Sequence, residues 1–512
     1  MADRNMNDHP QLTDEQADAL LDADEAEETI EQNDEDAAMD SGDDDDEVDM
    51  EGPMEEIQLH NDSVAHFDQH KDSMFCIAQH PTQPQIVATG GGDDMAYVWD
   101  ATPEDGPVLP QSYESDPQPR ERKGQQLMAK LDGQDESVNA ITFTLPSGEF
   151  VATGTLAGKL NVYTTPTPTT PSQLIASAKE VEEINWILPS PHKQYPNTIA
   201  FGASDGSVWV YTINPQDPTS PLTIVQTFFL HQAACTAGAW TPDGKLLATV
   251  SEDSSLYVWD VFGEAAAAGL VDVNAGQAVV ALTAADERFR VDGGLYSAAI
   301  SPGGGIVAVG GAEGQIRVVG LPRLSASQNA SGVGAKGAGA KSKLGGGKQA
   351  PSTPSASAGQ AGQILASLQA QCDGIETLDF SQPPLTLLAA GSVDGSIALF
   401  DVAHNFATRR HIPGAHEDET APQAVIQVSF VKTPLGTVNE RNWVLTSCGN
   451  DGVVRRWDVR GGTTGAANKG LVGEWRGHRG GGEGGGVLGF VQGGGRRIIT
   501  AGDDGVGLVF DT

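Results

Sequence analysis

Cysteine is scarce in this chain of 512 residues: Cys76, Cys235, Cys372 and Cys448 stand far apart. No Cys-x-x-Cys pair or Cys/His cluster occurs, which excludes the usual zinc spacings. All four fall in apolar, strand-like runs, so the expectation is buried free thiols in a reducing compartment. Aromatic residues are sparse at 6%, and Lys and Arg number 30 against 70 Asp and Glu. Binding through phosphates needs a positive surface, and a chain with net charge −40 offers none in bulk, so no direct nucleic-acid contact is expected. No run of eighteen apolar residues and no N-terminal apolar segment occurs, so neither a membrane span nor secretion is expected. A cytoplasmic or nuclear location follows.

Motifs of catalysis are also missing. The glycine runs Gly345-Gly346-Gly347-Lys348 and Gly480 to Gly486 lack the spacing of a phosphate-binding loop. There is no Gly-x-Ser-x-Gly elbow. The chain is therefore read as no enzyme, with no cofactor and no metal.

What is present is acid and repetition. Residues 1–60 hold 24 Asp and Glu against Arg4. Residues 1–54 bury too little apolar surface to offset chain entropy and are read as a disordered acidic tail. Residues 55–512 are built from short apolar runs bounded by Gly, Asp, Asn and Ser, the pattern of many short strands. One unit recurs eight times: a Gly- or Ser-rich strand end, an acidic turn, then alternating apolar residues closing on an aromatic or apolar one. Examples are Ala88-Thr89-Gly90-Gly91-Gly92-Asp93-Asp94 to Trp99-Asp100, Ala248-Thr249-Val250-Ser251-Glu252-Asp253 to Trp259-Asp260, and Ser447-Cys448-Gly449-Asn450-Asp451-Gly452 to Trp457-Asp458. Asp-Gly at several turns supplies the positive φ of a two-residue hairpin. A further apolar run precedes each unit. The chain stops after the third strand of its last unit, so a segment at about 56–67, with Ile57, Leu59, Val64 and Phe67, is expected to supply the fourth. Residues 321–362, rich in Gly, Ala and Ser, read as a flexible insertion.

These units resemble WD40 repeats, whose blades are four-stranded sheets around a channel. The resemblance implies an all-β, eight-bladed WD40 propeller. It also implies a hydrogen-bonded set within a blade, carried here by His70, Asp93 and Trp99 and by His231, Asp253 and Trp259. His478 occupies the same kind of position, while units two, five and six lack parts of the set. In such propellers the residues just before the second strand of each blade and just before the turn Asp face one end of the channel. Those positions are Asp135, Glu136, Glu182, Glu183, Glu252, Asp292, Asp373 and Asp503. A ring of carboxylates there would attract Lys and Arg of a partner. Phe75, Trp186 and Tyr296, on the adjoining runs, read as blade core.

The run His70-Lys71-Asp72-Ser73-Met74-Phe75-Cys76, followed by Ala88 to Trp99 and preceded by an acidic N-terminus, resembles a narrower group. It comprises the angio-associated migratory cell protein and the fungal ribosome-assembly protein Sqt-one. That resemblance implies a monomeric, dedicated chaperone of a basic large-subunit ribosomal protein, the universal L-sixteen (older name L-ten). It would bind that client's N-terminal segment and deliver it to pre-60S particles. A general WD40 scaffold or adaptor and an acidic histone chaperone are the alternatives left open by the residues.

Overall fold

In the computed structural model the described residues are 61–103, 124–271 without 218, 278–324, 360–418, 421–433, 441–461, 470–480 and 484–512. The acidic segment 1–54 and most of the insertion 321–362 lie outside them. No described helix is long and apolar enough to cross a membrane.

The described residues form strands β1 to β32, arranged as eight four-stranded antiparallel sheets. Each sheet is one blade. The strands nearest the axis are β2 (Cys76–Gln79), β6 (Val138–Phe143), β10 (Ile184–Pro189), β14 (Cys235–Trp240), β18 (Leu295–Ile300), β22 (Ile375–Phe380), β26 (Val425–Phe430) and β30 (Val487–Val491). Each packs on the next, and β30 packs on β2, which closes the ring. The second strand of a blade is buried on both faces between its neighbours. Examples are β7 (Phe150–Thr155) and β15 (Leu246–Ser251), both buried throughout. Small residues there, such as Ala152, Gly154 and Ala248, let adjacent blades approach. Tight turns link the second and third strands. Gly158 in one of them has φ +76°, and a Cβ on it would stand 1.9 Å from the Val181 carbonyl oxygen, so only glycine fits.

Seven of the eight inner strands carry a bulge at their second residue. The bulged side chain leaves its own ladder and turns to the neighbouring blade. Asn139 Nδ2 donates to the Ile184 carbonyl at 3.2 Å, Asn185 Nδ2 to Cys235 at 3.0 Å, and Thr236 Oγ1 to Leu295 at 2.7 Å. At the same position the next two blades hold Tyr296 and Glu376.

Blade eight takes its outer strand from the other end of the sequence. β1 (Ala65–Phe67) pairs with β32 (Gly507–Asp511), Ala65 opposite Val509. The strand is shorter than the 56–67 expected, and 55–60 lie outside the described residues. Phe67 is fully buried and stacks on Trp99 of blade one, with ring centroids 4.7 Å apart and planes within 1°. One side chain thus joins the last blade to the first.

Candidate carboxylate face

All inner strands run in one sense, so every connection from an outer strand to the next inner strand emerges on one face. The turn between second and third strands emerges there too. All eight carboxylates read from the sequence lie in these connections. The cations in the described connections of this face are Lys71, Arg288, Arg290, Arg476 and Arg479, set against 24 carboxylates. On the opposite face the described connections carry Glu149, Asp217, Asp243 and Glu264 against Lys193, Lys245, Arg323, Lys432, Arg441, Arg460 and Arg496. The first face is strongly acidic, whereas the second, where third strands also end in Asp100, Asp260, Asp401, Asp458 and Asp511, is close to balanced.

The eight positions are not equivalent. Asp135, Glu136, Glu182, Glu252, Asp292 and Asp373 are exposed, whereas Glu183 and Asp503 are half-buried. Asp503 accepts from Ser73 Oγ at 2.6 Å and from the Gly484 amide at 2.8 Å, which braces blade eight against blade one. Asp292 is paired with Arg290 Nε at 2.6 Å. Asp135 accepts from Thr155 Oγ1 at 3.0 Å and Asp373 from the Gly374 amide at 2.7 Å, each keeping a second oxygen.

Between blades four and six the structure draws carboxylates into one recess. Burial raises the pKa of the Tyr296 phenol, and the charges of Glu376, Glu252 and Asp373 raise it further. Tyr296 Oη donates to the Gly293 carbonyl at 2.6 Å. A Cβ on Gly374 would stand 3.4 Å from both Glu376 Oε1 and Tyr296 Cε2. Glu376 is exposed to solvent over part of its side chain, while desolvation of its carboxylate and the neighbouring Asp373 charge raise its pKa. Glu376 was not among the residues read from the sequence, which looked only at connections. The signal available was its place as second residue of an inner strand, where the bulge turns a side chain out of the ladder.

Phe75 departs from the expectation of blade core. It is 37% exposed at the mouth, beside Gly92, because it precedes β2 and never enters the ladder. Tyr296 and Trp186 are half-buried. Trp186 packs against Gly202 and Gly238 and donates to the Cys235 carbonyl at 3.1 Å. Cys372 also departs from expectation: it lies exposed in the connection before β22, whereas Cys235 and Cys448 are buried and Cys76 nearly so. Among the described residues no group of His, Cys, Asp and Glu has the arrangement of a metal site.

Beneath the mouth, polar sets tie the blades internally. In blade one His70 Nδ1 meets Asp93 at 2.9 Å and Nε2 meets Thr89 Oγ1 at 3.0 Å, and Trp99 Nε1 donates to the same hydroxyl at 3.3 Å. Burial lowers the His70 pKa, partly offset by Asp93. Blade four differs from the expected contact. His231 Nδ1 meets Ser255 Oγ at 2.6 Å, and Asp253 accepts from the amides of Ser255 and Gln232. Thr249 Oγ1 joins His231 and Trp259 at 2.8 Å each. Blade seven holds a set the sequence reading missed: His416 meets Asp451 and Ser447 at 2.8 Å each, and Trp457 donates to Ser447 at 2.9 Å. Blade eight has His478 on Asp504 at 3.0 Å and on Thr500 at 2.7 Å. Blades two and six place Gln134 and Gln371 where the histidine stands elsewhere, donating to Thr153 Oγ1 at 3.1 Å and to the Ser396 carbonyl at 2.8 Å.

Comparison with known proteins follows this division of blades. The family model described as WD domain, G-beta repeat, matches residues 61–100 and 222–260, the stretches that hold the His70 and His231 sets. The crystal structure of Sqt1 from Chaetomium thermophilum bound to the N-terminus of the ribosomal protein L10 superposes with a TM-score of 0.72. It is 50% identical and covers 88% of this chain and 100% of that one. The ribosome assembly protein SQT1 of Saccharomyces cerevisiae is 35% identical over 212 residues, 40% of this chain and 43% of its own length. The human angio-associated migratory cell protein is 25% identical over 429 residues, 84% of this chain and 74% of its own.

Proposed function

We propose, starting from the fact that the chain belongs to the Sqt1 family of WD40-repeat proteins, that it is a dedicated chaperone of a large-subunit ribosomal protein. It binds the basic N-terminal segment of that client, L10 in the older naming, and delivers it to pre-60S particles in the cytoplasm. The observation that carries this reading is the carboxylate-rich face of a propeller whose 50%-identical relative was crystallised with that segment.

A ribosomal protein is folded to pair with RNA phosphate, and off the ribosome its cations lack partners. The carboxylate face supplies a temporary substitute. Asp135, Glu136, Glu182, Glu183, Glu252, Asp292, Asp373 and Asp503 are assigned as the receiving ring, with Glu376 added from the recess. Exposed, unpaired carboxylates such as Glu182 gain most from an arriving Lys or Arg, because they give up no internal partner. Asp292 and Asp503 already have partners and contribute mainly to the field. Phe75 at the rim offers an apolar contact. Capture is stoichiometric and needs no bond-making step, so the protein acts as a binder and not as an enzyme.

The test is titration of the full chain with a synthetic peptide of the client's N-terminal segment by calorimetry at several salt concentrations. One-to-one binding that weakens steeply with salt is expected, since these charges lie at the surface within reach of counter-ions. Absence of binding at low salt, or an affinity indifferent to salt, overturns the assignment.

A further inference from the structure

Three outer strands end alike and then diverge. Phe67 closes β1 and stacks on Trp99, and Phe228 closes β13 (Leu222–Phe228) and stacks on Trp259 with ring centroids 4.3 Å apart. Trp475 closes β29 (Leu471–Trp475). Each stands three residues before a blade histidine, His70, His231 or His478. The two residues between are Asp68 and Gln69 in the first case and Arg476 and Gly477 in the third, but Phe229 and Leu230 in the second. Neither the blade geometry nor its polar set requires apolar side chains there. Phe229 is 62% exposed and Leu230 40%. The Phe229 ring stands edge-on to half-buried Trp209 of blade three, with centroids 5.9 Å apart. Trp209 is held by its Nε1 donating to Ser207 Oγ at 2.9 Å. Scattered exposed apolar residues are ordinary. These lie together on the outer rim of the carboxylate face.

Carboxylates border this rim. The Ser204 amide donates to the Glu183 carbonyl at 3.2 Å, which ties the connection 180–183 to the turn 204–207. That turn packs on the chain that follows Leu230: a Cβ on Gly206 would stand 2.6 Å from the Ala233 carbonyl oxygen. Asp253 accepts from the Gln232 amide and closes the arc from the other side. Glu180, Glu182, Glu183, Asp205, Glu252 and Asp253 lie in these connections and turns, which hold no Lys or Arg. No strand of blades three and four contains one either. Lys159 and Lys179 stand at strand ends of blade two, and Lys159 Nζ donates to the Gly133 carbonyl at 2.6 Å. In the connection after blade four, Arg288 and Arg290 are paired with Asp286 and Asp292 at 2.6 Å each.

An apolar step bordered by these carboxylates repels nucleic acid, an anionic lipid surface and an acidic peptide. Two copies meeting here about a twofold axis would set the same acids against each other. The step fits a basic segment that also carries an aromatic or large aliphatic side chain. We propose that Trp209, Phe229 and Leu230 select the client: its basic segment leaves the mouth across blade three and places an apolar side chain here, while flanking Lys or Arg meet Asp205 and Asp253. Charge alone draws any polycation. The step favours one whose cations surround an apolar anchor. The inference rests on the chaperone reading for the identity of that segment.

The test compares the full chain with the variant F229S/L230S, in which both altered side chains are exposed; a thermal melt establishes that the variant folds. Calorimetry measures binding of the client's N-terminal peptide and of the same peptide with its aromatic and large aliphatic residues replaced by serine. Wild type should prefer the intact peptide at least fivefold, and the variant should lose most of that preference. Salt dependence should be the same for both proteins, because no charge has changed. A designed peptide alternating Lys and Leu, set against its Lys and Ser counterpart, reads the surface without the client. A variant that binds the intact peptide as tightly as wild type, or a wild type indifferent to the apolar residues of both peptide pairs, overturns the proposal. So does a wild-type dimer that the variant abolishes in analytical ultracentrifugation, an outcome that selects a second copy. Wild type that ignores both client peptides but prefers the Lys and Leu peptide, with that preference lost in the variant, sinks the chaperone reading and leaves the surface standing for another basic partner.

Discussion

Ser447 shows how much one hydroxyl can hold. It accepts from Trp457 at 2.9 Å and meets His416 at 2.8 Å, and all three side chains are buried. Ser447→Ala leaves a buried indole N–H and an imidazole nitrogen without their partner. It should cost about 1–3 kcal/mol, read as a lowered midpoint in urea unfolding. Glu376 works in the opposite direction. Its raised pKa means that the folded protein binds the proton more tightly than the unfolded chain does. The site therefore costs stability as pH rises through the glutamate range. Glu376→Gln is expected to melt higher than wild type at neutral pH, with the gap closing as pH falls below the ordinary glutamate value. A melt series from acid to neutral pH checks this, and a gap that widens in acid contradicts it.

At the scale of elements, β1 is the shortest strand and has the most depending on it. Phe67→Ala removes the ring stacked on Trp99 and empties a site shared by blades eight and one. A loss of about 3–5 kcal/mol is expected. Limited proteolysis should cut near residues 61–68 faster than in wild type; an unchanged cleavage rate would mean that pairing to β32 alone holds the strand. Much at this scale was legible. The Trp-Asp pairs at 99, 259 and 457 end third strands, and the apolar runs before each unit are the inner strands. Their signal is strong because each blade must bury one strand on both faces. The bulges were not legible, since one extra residue in a ladder leaves no mark on an apolar run. Glu376 and the mouth position of Tyr296 were lost with them. The His416 set escaped because histidine and serine stand 31 positions apart, across a connection of unusual length.

For the whole molecule, the described carboxylates gather on one face, which total composition alone does not show. Counting carboxylates gave the sign of the mouth, because most acids outside residues 1–60 lie in its connections. The prediction at this scale uses E182K/E183K, two connection residues away from the blade cores. Client-peptide affinity should fall at least tenfold with the melting temperature nearly unchanged, measured by calorimetry and by scanning fluorimetry. Equal affinity would show that this sector takes no part in capture.

Closure by β1 and β32 also sets a timetable. The first strand to leave the ribosome has to wait for the last before either finds its hydrogen-bonding partner, and contacts this distant in sequence form slowly. Every preceding blade can assemble in turn, but the circle stays open until β32 has been made. A chaperone built this way is itself unfinished until that last blade strand arrives.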